Sequence, residues 1–290
     1  MSGVDYVKVS SYIYLKKHRE STGQDSTGVL FNKYMTLLNR RLLAEGTDIH
    51  LPHCWYRWGD EVVRYCMPFI DWNHEDISTT RVSFRDKRPR YSQKDAVIKT
   101  ASDFADEFLK RFSGSKGQEE AIDEVYSDAP FGFQNDFRKL REALNISRRN
   151  NPISNYHDYI ENLFKDAVSS FPPEFGYLSK RFEEFRATFS LALSKGAKPE
   201  ELFIIAETFW FFFCYHLRLN VRCHENVSPS TLDVWREVLP EEEEKYRMFV
   251  QNQASEYDDG SDSDPVIRGL SEERTVRLKE TEALFAKVFE

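Results

Sequence analysis

Five residues of the N-terminal third carry the side chains of a zinc site: His50, His53, Cys54, Cys66 and His74. Imidazole and thiolate are the usual zinc ligands. A site built from one chain normally shows two pairs of ligands, each pair roughly two to four residues apart. Only His50 and His53 make such a pair, so the segment reads as an aromatic-rich packing unit with buried thiols and surface histidines. No metal and no other cofactor is expected. A second group is cationic. Arg81, Arg85, Lys87, Arg88 and Arg90, followed by Lys94, surround Phe84 and Tyr91. Cations interleaved with aromatic rings can hold phosphate and stack a base. Nucleic-acid contact is one expectation for this loop. The other is a solvated loop whose arginines pair with an acidic body.

A third group is Arg218-Leu-Asn-Val-Arg-Cys-His224. An arginine followed by a histidine at this distance, in a helical protein, resembles the R-x4-6-H signature of the HEPN ribonuclease superfamily. The resemblance implies that Arg218 holds a phosphate and His224 does acid–base work on RNA, which suits a group titrating near neutrality. Leu219 stands where that family usually has a polar residue. The motif here also follows a helix, where the dipole by itself favours the cations Arg218, Arg222 and His224.

The segment 28–70 holds an amphipathic helix, Gly46, Ile49, Trp55-Tyr56-Arg57-Trp58-Gly59 and Val62-Val63. In this order it resembles the SocA/Panacea antitoxin-type domain. The resemblance implies a protein-binding module that neutralises or regulates partners, often near a DNA-binding function. Asp60 replaces the proline usual after that family's glycine. Trp55, Tyr56 and Trp58 are the expected partner-binding residues. The order helix, short helix at Pro52, turn at Gly59-Asp60 and strand over 61–66 is also winged-helix-like. Phosphate-loop, dinucleotide, serine-hydrolase and HExxH motifs do not occur in the sequence.

The elements that must position these residues follow from periodicity. Tyr6–Leu15 is rich in β-branched and aromatic residues and is expected as a strand or an extended arm. Leu30, Phe31, Tyr34, Leu37, Leu38 and Leu42 make one helical face, closed by Gly46. Ser92 caps a helix with Val97, Ala101, Phe104, Phe108 and Phe112 on one side. Helices follow around 121–126, 133–144, from Asn151-Pro152 to 171, 175–189, and from Pro199 through the apolar run 202–215. That run contains Glu207 and is shorter than the ~20 apolar residues of a membrane span, so it reads as a buried helix. Two shorter helices cover 230–251. Residues 254–265 are an acidic linker. A last helix starts near Ser271, with Leu278, Leu284, Phe285 and Val288 as its apolar face.

The 290 residues carry 40% hydrophobic and 30% charged side chains, the balance of a folded chain. A net charge of −8 argues against a surface built throughout for nucleic acid. Cys54, Cys66, Cys214 and Cys223 form no CxxC pair and do not read as a disulfide framework. With no apolar leader at the start, a cytoplasmic location away from membranes is expected. The expected fold is mainly α, with a small α+β, winged-helix-like N-terminal unit packed on a helical C-terminal bundle. The expected segments are 1–91 with its basic loop 81–90, 92–253, the linker 254–265 and a helix over 266–290. The expected function is a non-enzymatic interaction or regulatory subunit of a larger complex, of toxin–antitoxin or antiviral-defence type, with another protein subunit as partner. The alternatives are a HEPN-like ribonuclease and a DNA- or RNA-binding accessory protein.

Overall fold

The first segment is a helix, not a strand or an arm. In the computed structural model, which describes residues 3–74, 80–149, 156–258 and 264–289, α1 spans Gly3–Thr22. Val7, Ser11, Tyr14 and His18 are all buried, and their spacing is helical. Two of the four are polar, so the stripe is invisible to a hydropathy reading. Burial on this face outweighs the weak β preference of Val, Ile and Tyr.

The expected second helix forms as α2, Gly28–Ala44. The Thr27 hydroxyl caps it, accepting the Leu30 N–H at 3.2 Å. Gly46, at φ +81°, ends it. The N–H groups of Gly46 and Thr47 donate to Leu43 and Leu42 carbonyls at 2.9 and 2.8 Å, a Schellman closure. Strand β1, Ser26–Thr27, precedes α2.

The winged-helix order is not met. Residues after Pro52 form a strand, β2 (His53–Tyr56), rather than a short helix. It pairs antiparallel with β3 (Gly59–Val62), and the turn falls at Arg57-Trp58 instead of Gly59-Asp60. A single 3-10 turn covers Arg64–Cys66, where strand was expected to continue. Strands β4 (Ile70–Trp72) and β5 (Arg81–Phe84) follow, so the basic loop begins as a strand. Sheet order is β1-β5-β4 in one sheet. The other is β3-β2-β6, where β6 is the pair His224–Glu225 from far along the chain.

Helix α3 (Ala96–Arg111) starts three residues later than its expected Ser92 cap, because Asp95 takes that role. Its carboxylate accepts the Val97 and Ile98 N–H groups at 3.0 and 3.3 Å. Helix α4 spans Gly117–Tyr126. Tyr14 and Tyr34 stack at 4.3 Å between α1 and α2, and Phe108 meets both edge-on.

The remaining helices are α5 (Gly132–Arg149), α6 (Tyr156–Ser169), α7 (Ser179–Ser194), α8 (Pro199–Leu217), α9 (Pro229–Glu237), α10 (Leu239–Tyr257) and α11 (Pro265–Phe289). The expected helix opening at Asn151-Pro152 lies outside the described residues. Phenylalanines fill the bundle: Phe185 stacks on Phe209 at 4.4 Å and Phe171 on Phe182 at 3.9 Å. Glu207, the charge inside the apolar run, is neutralised by Arg141, whose guanidinium lies 5.1 Å from the Trp210 ring. No described helix is long and apolar enough to cross a membrane.

The chain is thus predominantly α-helical, with a smaller mixed α/β region preceding a helical bundle. It divides into two units at other points than residue 91. One is residues 1–129 with 216–236; the other is 130–215 with 237–290. Helices α3 and α4 belong to the first unit because they pack on α1 and α2. Helix α11 lies on α10 and α7 of its own unit. It begins before Ser271 and is anchored by Ile267 and Leu270, both buried. Glu273 holds it through Lys180, Arg247 and Gln251 at 3.5, 3.3 and 3.0 Å. The apolar residues expected to dock it, Leu278 to Val288, carry side chains outside the described set. Residues 254–257, expected as linker, are the last turn of α10.

Candidate functional site

Helix α2, the β2–β3 hairpin and β6 bring six charged side chains together, those of Lys33, Arg40, His53, Asp60, Glu61 and Glu225, and of these only His53 stands out in the sequence as a ligand type. Lys33 is fully buried on α2 and donates to the Asp60 carbonyl at 3.0 Å. Asp60, 2% exposed, faces His53 across the hairpin, with Nδ1 and Oδ1 2.6 Å apart. The other imidazole nitrogen reaches Glu225 Oε2 at 3.2 Å. Arg40 lies 3.4 Å from the second Asp60 oxygen and also pairs with Asp128 at 3.0 Å. Glu61 accepts the Trp58 N–H at 2.9 Å.

The electrostatics are those of a clamp. Burial opposes ionisation of Asp60, but His53, Arg40 and Lys33 outweigh it and hold the carboxyl below its ordinary range. Burial likewise opposes the His53 cation, and Asp60 and Glu225 outweigh it, so the imidazole titrates above its ordinary value. Glu61 is pushed up by burial, with Lys33 and the Trp58 N–H offsetting only part. Both nitrogens of His53 are engaged, so the group ties β6 to the hairpin. Gly59 makes the packing possible. It sits at φ +95°, and a Cβ there would stand 2.9 Å from the Tyr126 ring and 3.2 Å from Lys33 Nζ.

The zinc-type residues are not gathered. His53 belongs to the clamp. His50 pairs with Asp48 at 2.9 Å on the surface. Cys54 is a buried thiol pushed up by burial, and Cys66 is half-buried. Among the described residues the donor atoms that do converge are those of His157, Asp158 and Glu161, in the first two turns of α6. There His157 Nε2 already bonds the Leu193 carbonyl at 2.8 Å and Glu161 pairs with Lys165 at 2.6 Å. The helix dipole alone favours Asp158 at that end.

Cys54, Val63 and Trp235 form a small buried cluster between the hairpin and the returning segment 216–236, walled by half-buried Tyr56, Cys66, Leu219, Val227 and Leu232. Arg218 sits here. Its guanidinium lies 5.0 Å from the Tyr56 ring and 4.7 Å from the Trp235 ring, so its faces are occupied by two aromatic side chains. His224 pairs with Cys54 in β6, and its imidazole is held below its ordinary value by burial and by Arg236 and His53. Of the expected partner-binding aromatics, Trp55 is 5% exposed and packs edge-on against Tyr126 at 5.5 Å. It is core and unavailable to a partner. Tyr56 and Trp58 are half-buried. The exposed apolar residues are others, Tyr65 at 85% in the turn after β3 and Val221 at 80% and Val234 at 55% in the returning segment. No periodicity could have flagged them.

The cationic loop divides in two. Arg81 donates to the Asp25 carbonyl at 3.2 Å, Arg85 pairs with Asp71 at 3.1 Å, and Asp86 pairs with Lys8 at 2.5 Å. Lys87, Arg88, Arg90 and Lys94 are exposed, and their side chains make no ion pair among the described residues. Behind them Tyr12 meets Phe84 edge-on at 5.2 Å and lies 6.4 Å from Tyr91.

No protein-family model, no curated protein and no solved structure matches this chain.

Proposed function

We propose that this chain is an interaction subunit that binds another protein through the surface made by the β2–β3 hairpin, the turn Arg64–Cys66 that follows it and residues 216–236. The observation that carries this reading is the small Cys54–Val63–Trp235 cluster, whose outer wall of Tyr56, Leu219, Val227 and Leu232 is left partly open. Such a cluster is too small to bury its own rim. Tyr65, Val221 and Val234 on the same segments add exposed apolar side chains. Arg57, Arg64, Arg218, Arg222 and Arg236 lie on those segments as well. Arginine beside aromatic rings is the composition of energetically dominant interface positions. The partner is a protein with an acidic rim around an apolar anchor.

The test begins with the full chain as bait in extract of its host. The captured protein is then purified and titrated against the chain alone. Tyr65→Glu and Val221→Glu are each expected to weaken binding about tenfold or more, with an unchanged melting temperature. A partner indifferent to both variants overturns the surface. Turnover of RNA by the purified chain, abolished by Arg218→Ala or His224→Ala, overturns the interaction-subunit reading in favour of the ribonuclease.

A further inference from the structure

We infer that residues 87–94 form a separate site for the phosphate backbone of single-stranded nucleic acid. This stretch, Lys-Arg-Pro-Arg-Tyr-Ser-Gln-Lys, holds four cations and no carboxylate, in a chain of net charge −8. All four cations are exposed and lack an ion-pair partner among the described residues. The charges that flank them are spent. Arg85 is taken by Asp71, and Asp86 by Lys8. Asp95 is used from both oxygens: one caps α3, and the other accepts the Tyr6 hydroxyl at 3.2 Å. A solvated loop in an acidic protein would be expected to pair with that body, and among the described residues these four do not.

The loop is held at both ends, which lowers the entropy lost on binding. It leaves the sheet at β5, where the Arg85 N–H donates to the Phe69 carbonyl at 2.9 Å. It enters α3 through the Asp95 cap. Between them, residues 87–92 have no regular structure, and Pro89 keeps the backbone extended. No helix or ribbon is present in the stretch to enter a duplex groove. Half-buried Tyr91, with Tyr12 and Phe84 behind it, places a ring beside the cations, which suits an unpaired base. The stretch offers no exposed apolar side chain to a bilayer.

The site is tested by fluorescence anisotropy of the full chain with a short labelled single-stranded RNA and single-stranded DNA. Salt is varied from about 50 to 200 mM, with a duplex of equal length and phosphatidylserine vesicles as the other arms. With four phosphate contacts, log K should fall against log salt with a slope of roughly −3. Lys87→Glu with Arg88→Glu should weaken binding more than tenfold, and the milder Arg88→Gln should lower the slope by about 0.7. Tyr91→Ala should cost about fivefold or more. Lys139→Glu, on α5, should change nothing. Equal or tighter binding of duplex, binding to vesicles alone, or affinity indifferent to the loop variants overturns the inference. Failure here leaves the protein-binding surface standing, because capture that depends on Tyr65 and Val221 does not involve these residues.

Discussion

Nδ1 of His53 lies 2.6 Å from Oδ1 of Asp60, a carboxylate only 2% exposed, and the opposite nitrogen of the same ring reaches Glu225 on β6. A strand near the start of the chain is thereby joined to a residue 172 positions later. Breaking a buried pair by removing one partner costs ~3–5 kcal/mol. Asp60 would keep Arg40, so His53→Ala is expected to cost about 2–3 kcal/mol, read by urea unfolding of the full chain.

The pair also fixes a pH dependence. Asp60 is depressed below its ordinary 3.8, so its stabilisation is present above that value and is lost as pH falls through the lower folded value. His53 is raised above 6.5, so its stabilisation is present below that value and is lost as pH rises through the higher folded one. Stability should hold a plateau between and fall on both sides. Asp60→Asn should flatten both limbs. A variant with the wild-type pH profile would show that the pair is not coupled to folding.

Glu61 has the opposite sign. Burial raises its carboxyl above 4.5, so ionising it costs stability as pH rises through the raised value. Glu61→Gln keeps an oxygen to accept the Trp58 N–H. It should stabilise at neutral pH and have no effect below the ordinary carboxylate value. Denaturant midpoints at two pH values check this. A loss of stability at neutral pH would mean that the Lys33 attraction dominates.

These elements mark the limit of what the sequence makes legible. Helix α2 could be read because its apolar face is unbroken and Gly46 ends it. Helix α8 could be read because it is apolar on every side. Helix α1 could not, since Ser10, Ser11 and His18 lie buried among its apolar residues. Strand β6 is two residues long and exists only through pairing with β2. The clamp was invisible for a related reason: Lys33, Asp60 and Glu61 look like surface charges until tertiary packing buries them. The cationic loop was legible as composition. Which of its charges are spent and which are open could be seen only once their neighbours were placed.

Gly59 sets the approach of the hairpin turn to α2 and α4. Gly59→Ala meets the Tyr126 ring at 2.9 Å and must adopt φ +95°, so it is expected to cost about 2–3 kcal/mol. Gly46→Ala is strained by φ +81° but meets no atom within 4 Å, so its cost should be only about 1 kcal/mol. The two variants separate backbone strain from steric conflict. Equal losses would mean that the ring and the Lys33 side chain move aside freely.

Trp55 and Tyr65 separate core from surface on neighbouring elements. Trp55 is buried against Tyr126, so Trp55→Ala should destabilise by ~3–5 kcal/mol and lower the melting temperature of the whole unit. Tyr65, 85% exposed, should tolerate alanine within about 0.5 kcal/mol. If the proposed surface binds its partner, Tyr65→Ala should weaken capture at unchanged stability, whereas Trp55→Ala should weaken it only in proportion to the unfolded fraction. Measuring both variants below the onset of unfolding distinguishes the two causes. A folded Trp55→Ala protein that still lost its partner would show that the indole is itself part of the interface.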